Sequence, residues 1–581
     1  MNGPRPLVCR LILVMAVLLV FGRLLWCDFT LWDDEHTVYR NPRLNPAVDI
    51  AGLVDIWTTP AASIYVPLTY TVWAGLTLVA RRPADATGVT LDPAVYHAAN
   101  VVVHALGAVV LFGLLRRLLR SDGGATPASP ASLVPADPAV TDDSTNLGDA
   151  GVAPTKTSWA CGGALIGALL WALHPLQVES VAWVSGLKDV LSGTLVIAAL
   201  AAFVAFRQSG RRRWFATAIV AYALALLAKP SAMTLPLLLV LVDRFALRTP
   251  WRRVAVGVSV FVVMTVPVAL IARAAQPAPA AAASAGTRGL LVGDTLAFYA
   301  VKTVAPVSLT FDYGRDVATL RAGGELYVAW LLPLGTAAAV AWAYGRARRR
   351  GRPLSPLPAV GYAVFALAPL PVLGLTRFDF QVISTVADHY AYVALAGVAM
   401  IVAWAATRRP KAWPAAVAVV VLFGVRSAWQ CGVWQDSDSL FNHALAVNPR
   451  SWSSHVNLAT LAFNRHDADA VARHLAAAEA VAPLEPSVHL ALLTDAARRG
   501  DKAKAYDAAR RLIAAYDATW TPAGFRPGEP YALIVKTFTD TGRLDAAAEF
   551  CQEGLRRDPT EPRLQAAATR LVPSPGTPGE G

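Results

Sequence analysis

Six clusters of basic residues alternate with long apolar segments in this chain, and that alternation points to a polytopic membrane fold. The clusters are Arg5 with Arg10; Arg116, Arg117 and Arg120; Arg207 with Arg211 to Arg213; Arg244, Arg248, Arg252 and Arg253; Arg346 to Arg352; and Arg408, Arg409 and Lys411. Lys and Arg concentrate in the cytoplasmic loops of membrane proteins, so all six are assigned to the cytoplasmic side. A crossing takes about 20 apolar residues, and the stretches between clusters predict about eleven crossings. With a cytoplasmic N-terminus, an odd count leaves everything beyond Trp434 outside the cytoplasm. The remaining loops then share one outward face of a cytoplasmic (inner) membrane.

Composition agrees with this reading. Of 581 residues, 55% are apolar and only 16% charged, with a mean hydropathy of +0.44. Soluble domains carry about a quarter charged residues. The net charge of +12 could suggest nucleic acid. Most of the excess, however, lies in short loops beside apolar segments, where orientation and anionic lipid account for it. The bilayer is the expected partner and nucleic acid is not. The five cysteines, Cys9, Cys27, Cys161, Cys431 and Cys551, form no Cys-x-x-Cys pair and no metal spacing, and a Cys27–Cys431 disulfide is not expected. Leu7 to Trp26 follows basic residues and lacks a small-residue cleavage site, so it reads as an uncleaved anchor.

Residues 1–434 make up the multispan part. An outer loop over 27–95 carries Leu31-Trp32-Asp33-Asp34-Glu35, and its apolar stretch Val66 to Ala80 is placed along the outer interface because it is short and runs into Arg81 and Arg82. Residues 121–157, rich in Pro, Ala, Asp, Ser and Thr, read as a disordered cytoplasmic linker. Gly289 to Pro306 is assigned to an interfacial helix on the outer side, which keeps the 346–352 cluster cytoplasmic. Residues 435–571 are alanine-rich with helical periodicity, and Asn448-Pro449 recurs 34 residues later as Ala482-Pro483, the period of tetratricopeptide repeats. Paired helices are expected at Trp452 to Phe463 with Asp467 to Val481, Pro486 to Arg499 with Lys502 to Tyr516, and Glu529 to Thr541 with Leu544 to Arg557, across an insertion near 517–526. Three repeats are about the minimum for a stacked solenoid. The tail, 572–581, reads as disordered. The expected fold class is all-α: a helical membrane bundle followed by an α-solenoid.

Ionisable residues in the outward loops are the candidates for chemistry. Asp33 and Asp34, with Glu35 beside them, could deprotonate a hydroxyl or hold a divalent cation; the plain alternative is a solvated acidic loop. Between His174 and Asp189, Glu179, Lys188 and Asp189 crowd a short loop, where Lys188 and Asp189 could instead neutralise each other. Lys229 interrupts an apolar pair of spans and could meet a phosphate, or snorkel to the interface. Lys302 lies in the interfacial segment. His97, Asn100 and His104 share a helix face, which favours hydrogen bonding within the bundle over metal ligation. Asp388, His389, Tyr390 and Tyr392 could orient a sugar or a phosphate, or anchor the chain at the interface.

The order of these signals resembles a known family. Trp32-Asp33-Asp34, Tyr65-Val-Pro-Leu-Thr69, the His97/Asn100/His104 face, His174-Pro through Glu179-Ser-Val-Ala-Trp to Lys188-Asp189, Leu227-Ala-Lys229-Pro230, Ala387-Asp388-His389-Tyr390-Ala-Tyr392 and Trp434-Gln-Asp436-Ser through Leu440-Phe-Asn-His-Ala-Leu look like bacterial relatives of the transmembrane and TPR-containing protein O-mannosyltransferases. The resemblance implies a GT-C type glycosyltransferase that takes a sugar, mannose or another hexose, from a polyprenyl-phosphate donor. It also implies catalytic roles for Asp33 and Asp34, with phosphate contacts from Lys229, Lys188, Lys302 and His389. Glu35, His97, His104, His174, Glu179, Asp189, Asp388, Tyr390 and Tyr392 would support them. The pattern often has Arg where this chain has His389, whose ordinary pKa near 6.5 makes it a weaker cation at neutral pH.

The expected function is therefore inverting transfer of a sugar from a polyprenyl-phosphate donor to a protein hydroxyl at the outer face, with the repeats presenting the acceptor. Two other classes make different predictions. A non-catalytic repeat scaffold would tolerate neutral substitution of the loop acids and Lys229. A transporter would show broken Gly/Pro spans in two symmetric halves, and the sequence has no such symmetry.

Overall fold

The computed structural model describes residues 5–45, 48–60, 64–85, 87–122, 156–275, 284–352, 354–376, 379–519 and 527–571. The expected linker lies almost wholly outside the described residues, as do 276–283, most of the insertion near 517–526, and the tail. Among the described residues every regular element is helical, and one isolated antiparallel bridge, Arg81 with Leu91, closes a turn in the first loop. The chain is all-α.

Among the described residues six helices are long and apolar enough to cross a membrane: Pro6–Trp26, Pro93–Asp122, Val184–Ser209, Trp251–Ala275, Glu325–Arg349 and Pro410–Trp434. Trp159–Ala172 continues into Pro175–Ala182 through a bend of 53°. The bend follows from Pro175, which forces His174 into extended backbone (φ −69°, ψ 132°). Four further segments expected to cross are shorter. Arg212–Ala228 is a 17-residue helix, and extended Lys229 with the 3-10 helix Pro230–Thr234 separates it from Leu235–Leu241, which runs on into the π-helical turn Val242–Ala246. Leu357–Val372 and Ala394–Arg408 are likewise short apolar helices. Proline and extended backbone break stretches that hydropathy alone reads as continuous.

Val184–Ser209 is the most enclosed of the long helices and Glu325–Arg349 the least, with 72% and 6% of their apolar windows buried. Leu19, Val256 and Leu331 lie on the outer surface of the bundle. Small residues set the closest approaches. A Cβ on Gly361 would lie 2.5 Å from the Gly397 carbonyl oxygen, and one on Gly397 2.2 Å from that of Gly361. Only glycine at both positions lets these helices meet backbone to backbone, a contact that suits packing where lipid offers no hydrophobic drive.

Five of the basic clusters, with Tyr344 beside the sixth, gather at one end of the bundle. Gln208 joins Arg117 and Ser121, Arg408 pairs with Asp122 at 2.9 Å, and Arg207 reaches both Asp243 (2.5 Å) and the Arg253 carbonyl (2.8 Å). Arg10 lies within electrostatic reach of Arg116, and Tyr344, just before the 346–352 cluster, within reach of Asp122.

Beyond Trp434 the chain forms helical hairpins with the expected partners: Trp452–Asn464 with Ala468–Val481, Pro486–Arg499 with Lys502–Thr519, and Glu529–Asp540 with Leu544–Arg557; a further helix, Pro562–Leu571, follows. Their starts are set by capping. Asp436, capping the preceding helix Ser437–Val447, accepts from Ser439 N–H, Ser451 from Ser454 N–H and Asp467 from Ala470 N–H. Gly500, at φ +79°, ends one helix in the left-handed conformation that an L side chain resists. Leu493, Leu512, Ile534, Phe538 and Phe550 fill the core of the later hairpins.

Candidate functional site

The acidic loop is held from two directions. Asp28 N–H donates to the Gln435 carbonyl (2.8 Å) and Leu31 N–H to Ser437 Oγ (2.9 Å), so the loop touches the start of the helical array. Trp183 Nε1 donates to the Trp32 carbonyl (2.8 Å), and the Trp32 ring packs on Phe311 with centroids 4.2 Å apart. These bonds fix the backbone around Asp33.

Consecutive in sequence, the two acids have opposite surroundings. Asp34 is buried and accepts four hydrogen bonds: Thr30 N–H and Oγ at 3.0 and 3.1 Å on one oxygen, Ser185 N–H and Oγ at 3.0 and 2.7 Å on the other. Four donors fill a carboxylate. Burial pushes the Asp34 carboxyl up to about 6 against the pull of those donors, which leaves it ionised at neutral pH. Asp33 is exposed, with a left-handed backbone (φ +63°) that Asp tolerates better than most residues. Its carbonyl accepts from Thr37 N–H and Oγ (2.8 Å each), and its carboxylate accepts no hydrogen bond among the described residues. The pair therefore does not offer two carboxylates to one cation, because Asp34 is saturated. Glu35 is taken up by Arg40 at 2.7 Å.

Glu179 organises the 387–390 turn. Its Oε2 accepts from Asp388 N–H (2.8 Å) and His389 N–H (3.2 Å), and its Oε1 from His389 Nδ1 (2.9 Å). Tyr313 donates to Asp388 Oδ1 at 2.7 Å, and Tyr299 to the Ala387 carbonyl at 2.9 Å. Beside this turn Lys229 Nζ meets Asp189 Oδ1 at 2.5 Å and lies 5.4 Å from the Tyr390 ring centre. Of the two readings open for Lys188, direct pairing with Asp189 is not the one made: neighbouring residues on a helix point about 100° apart, and Lys188 rests on the Trp183 ring at 4.3 Å. Asp189 Oδ2 is buried with no hydrogen-bond partner among the described residues. A cavity of about 40 Å³, lined by Asp189, Ser231, His389, Tyr390 and Tyr392 among others, adjoins the pair. It admits water but falls far below the roughly 300 Å³ of a small-molecule pocket.

The other candidates are tied into the structure. Lys302 donates to the Val307 and Ser308 carbonyls (2.6 and 3.3 Å). His104 Nε2 donates to the Ala172 carbonyl (2.9 Å), so its Nδ1 accepts from Tyr392 (2.9 Å). His174 Nδ1 accepts from Leu176 N–H (3.2 Å), so its Nε2 donates to the Thr303 carbonyl (3.0 Å). His97 faces the Asp28 carbonyl (3.4 Å), and Asn100 donates to the carbonyls of Val181 and Trp183. These histidines brace helices. Among the described residues no group of three or more His, Cys, Asp or Glu has the arrangement of a metal site, and none of the five cysteines is in a disulfide.

Sequence reading missed several participants. Thr30 and Ser185, which hold Asp34, carry no signal of their own. Arg426 does: an arginine inside the apolar Pro410–Trp434 helix is costly and marks a candidate site. It bonds Gln430 Oε1 at 2.7 Å, stacks on Trp429 at 4.4 Å and lies within electrostatic reach of Asp388 and Tyr313. No family model, no characterised protein and no solved structure matches the chain.

Proposed function

We propose that the chain is a GT-C type glycosyltransferase with about eleven membrane crossings, moving a hexose from a polyprenyl-phosphate donor to a protein hydroxyl at the outer face with inversion. One observation carries this reading. Asp34, Glu179, Asp189, Lys229 and His389 are joined, through Ser185 and the 174–189 loop, into one cluster bonded to the start of the helical array, and exposed Asp33 sits beside it.

The exposed Asp33 carboxylate is the base: it takes the proton of the acceptor hydroxyl as that oxygen attacks the anomeric carbon. The carbon–oxygen bond to the phosphate breaks, and the lipid phosphate leaves with the electron pair. Lys229 and Arg426 offset the charge that develops on it. Asp34 touches no reacting atom and serves as a positioning residue, fixing the loop so that Asp33 faces outward. Because the cavity beside Lys229 is small, the donor lies against this face with its lipid tail in the bilayer. The hairpins act as tetratricopeptide-type repeats that present acceptor polypeptide.

The test is incubation of purified protein with polyprenyl-phosphate sugars and membrane-protein extract, followed by mass spectrometry for hexose adducts. Asp33→Asn is expected to lower transfer by at least about 100-fold, the scale of a lost general base, with an unchanged melting midpoint. Full transfer by Asp33→Asn and by Lys229→Ala would overturn the roles assigned to them, and absence of hexose adducts with the unaltered protein would instead favour a non-catalytic scaffold.

A further inference from the structure

The first helical hairpin carries a feature that the proposed transfer reaction does not use. His455, on Trp452–Asn464, and His474, on Ala468–Val481, face each other with Nδ1 atoms 3.1 Å apart. Both residues are half-buried. Two imidazole nitrogens on one tetrahedral ion, each about 2.0–2.1 Å from the metal, are separated by about 3.3 Å. The observed spacing is close to that.

The next hairpin indicates how His455 is held. Pro449 and His455 recur 34 residues later as Pro483 and His489. There His489 Nε2 donates to the Pro483 carbonyl at 2.8 Å, which leaves its Nδ1 without a hydrogen on it and without a partner among the described residues. The Pro449 carbonyl likewise faces His455. If the repeat carries over the bond made by His489, the ring hydrogen of His455 lies on Nε2 and its Nδ1 lone pair is the one that faces His474. Donation of the second ring N–H to a backbone carbonyl is the arrangement that orients metal-binding histidines. The position matching His474 in the next hairpin is Ala508, so the equivalent site there has one ligand and the first hairpin has two.

We propose that His455 and His474 chelate a divalent transition-metal ion of the class that prefers imidazole, such as Cu²⁺, Ni²⁺ or Zn²⁺. Each histidine supplies Nδ1, and water or a side chain of a bound polypeptide fills the open positions. Arg473, adjacent in sequence and within electrostatic reach of His474, opposes the added charge and sets the site apart from a closed structural one. Oxygen-preferring Mg²⁺ and Ca²⁺ are excluded by the donor set.

The test uses full-length protein in detergent micelles titrated with Cu²⁺ alone, followed by calorimetry and by electron paramagnetic resonance for nitrogen coupling. One ion per chain with coupling to two imidazoles is expected. His474→Ala, which reproduces the residue tolerated at 508, should weaken binding at least about tenfold, the size that even a lost supporting contact costs at metal sites, and erase the two-nitrogen signature. His489→Ala should leave both unchanged. Absence of binding in the unaltered protein, or the same affinity and spectrum in His474→Ala, would overturn the assignment.

Discussion

Asp33 and Asp34 differ in one respect that decides their roles: whether backbone N–H groups point at the carboxylate. Asp34 has two such donors and two hydroxyls. Replacing it with Ala strands buried donors at Thr30 and Ser185, each costing about 1–3 kcal/mol, so a loss of about 3 kcal/mol or more is expected in thermal melts. Asp33→Asn should leave the melting midpoint in place. Stability should also depend on pH through Asp34. Its carboxyl is pushed up to about 6 in the folded chain and titrates near 3.9 when unfolded, so the folded state binds the proton more tightly. The resulting stabilisation is full below about pH 4 and is lost as pH rises through about 6. Melting midpoints measured across that window should fall less steeply in Asp34→Asn than in the unaltered protein.

Among the elements, the segment that follows the Ala285–Val304 helix links the two parts of the chain. The Leu309 carbonyl accepts from Gln430 Nε2 and His443 Nε2 (3.0 Å each), and Asp312 accepts from Ser451 Oγ (2.6 Å) and Asn448 Nδ2 (3.2 Å). Asp312 is thereby bonded to the residue that caps Trp452–Asn464. A second link, Asp189 with Lys229, joins Leu187–Ser209 to the break after Arg212–Ala228. Removing one member of a buried ion pair leaves the other charge uncompensated, at about 3–5 kcal/mol. Lys229→Met should therefore destabilise strongly, and adding Asp189→Leu should restore most of the loss. If the double variant melted no higher than the single one, the pair would not be the cause.

At the scale of the whole molecule, the basic clusters and the candidate chemistry occupy opposite ends of the bundle, as Asp189 and Arg207 do on the Leu187–Ser209 helix. Cysteines introduced near residue 33 and in the helical array should both react with a membrane-impermeant thiol reagent added from outside, and one placed among residues 346–352 should not. Labelling of residue 33 and the array from opposite sides would remove the basis of the proposed reaction.

The sequence by itself determined the all-α class, the placement of the long apolar helices and the hairpin boundaries beyond Trp434. Hydropathy, charge clusters and capping residues act locally, along one segment at a time, so a single chain displays them. Only the tertiary structure decided which carboxylate is enclosed and which is open, and that Asp189 turns to Lys229 and not to its neighbour Lys188. It also brought Arg426 near Asp388 and His455 to His474. Those relations depend on side chains from distant segments meeting across helix contacts, where direction and burial, not residue type, set the chemistry.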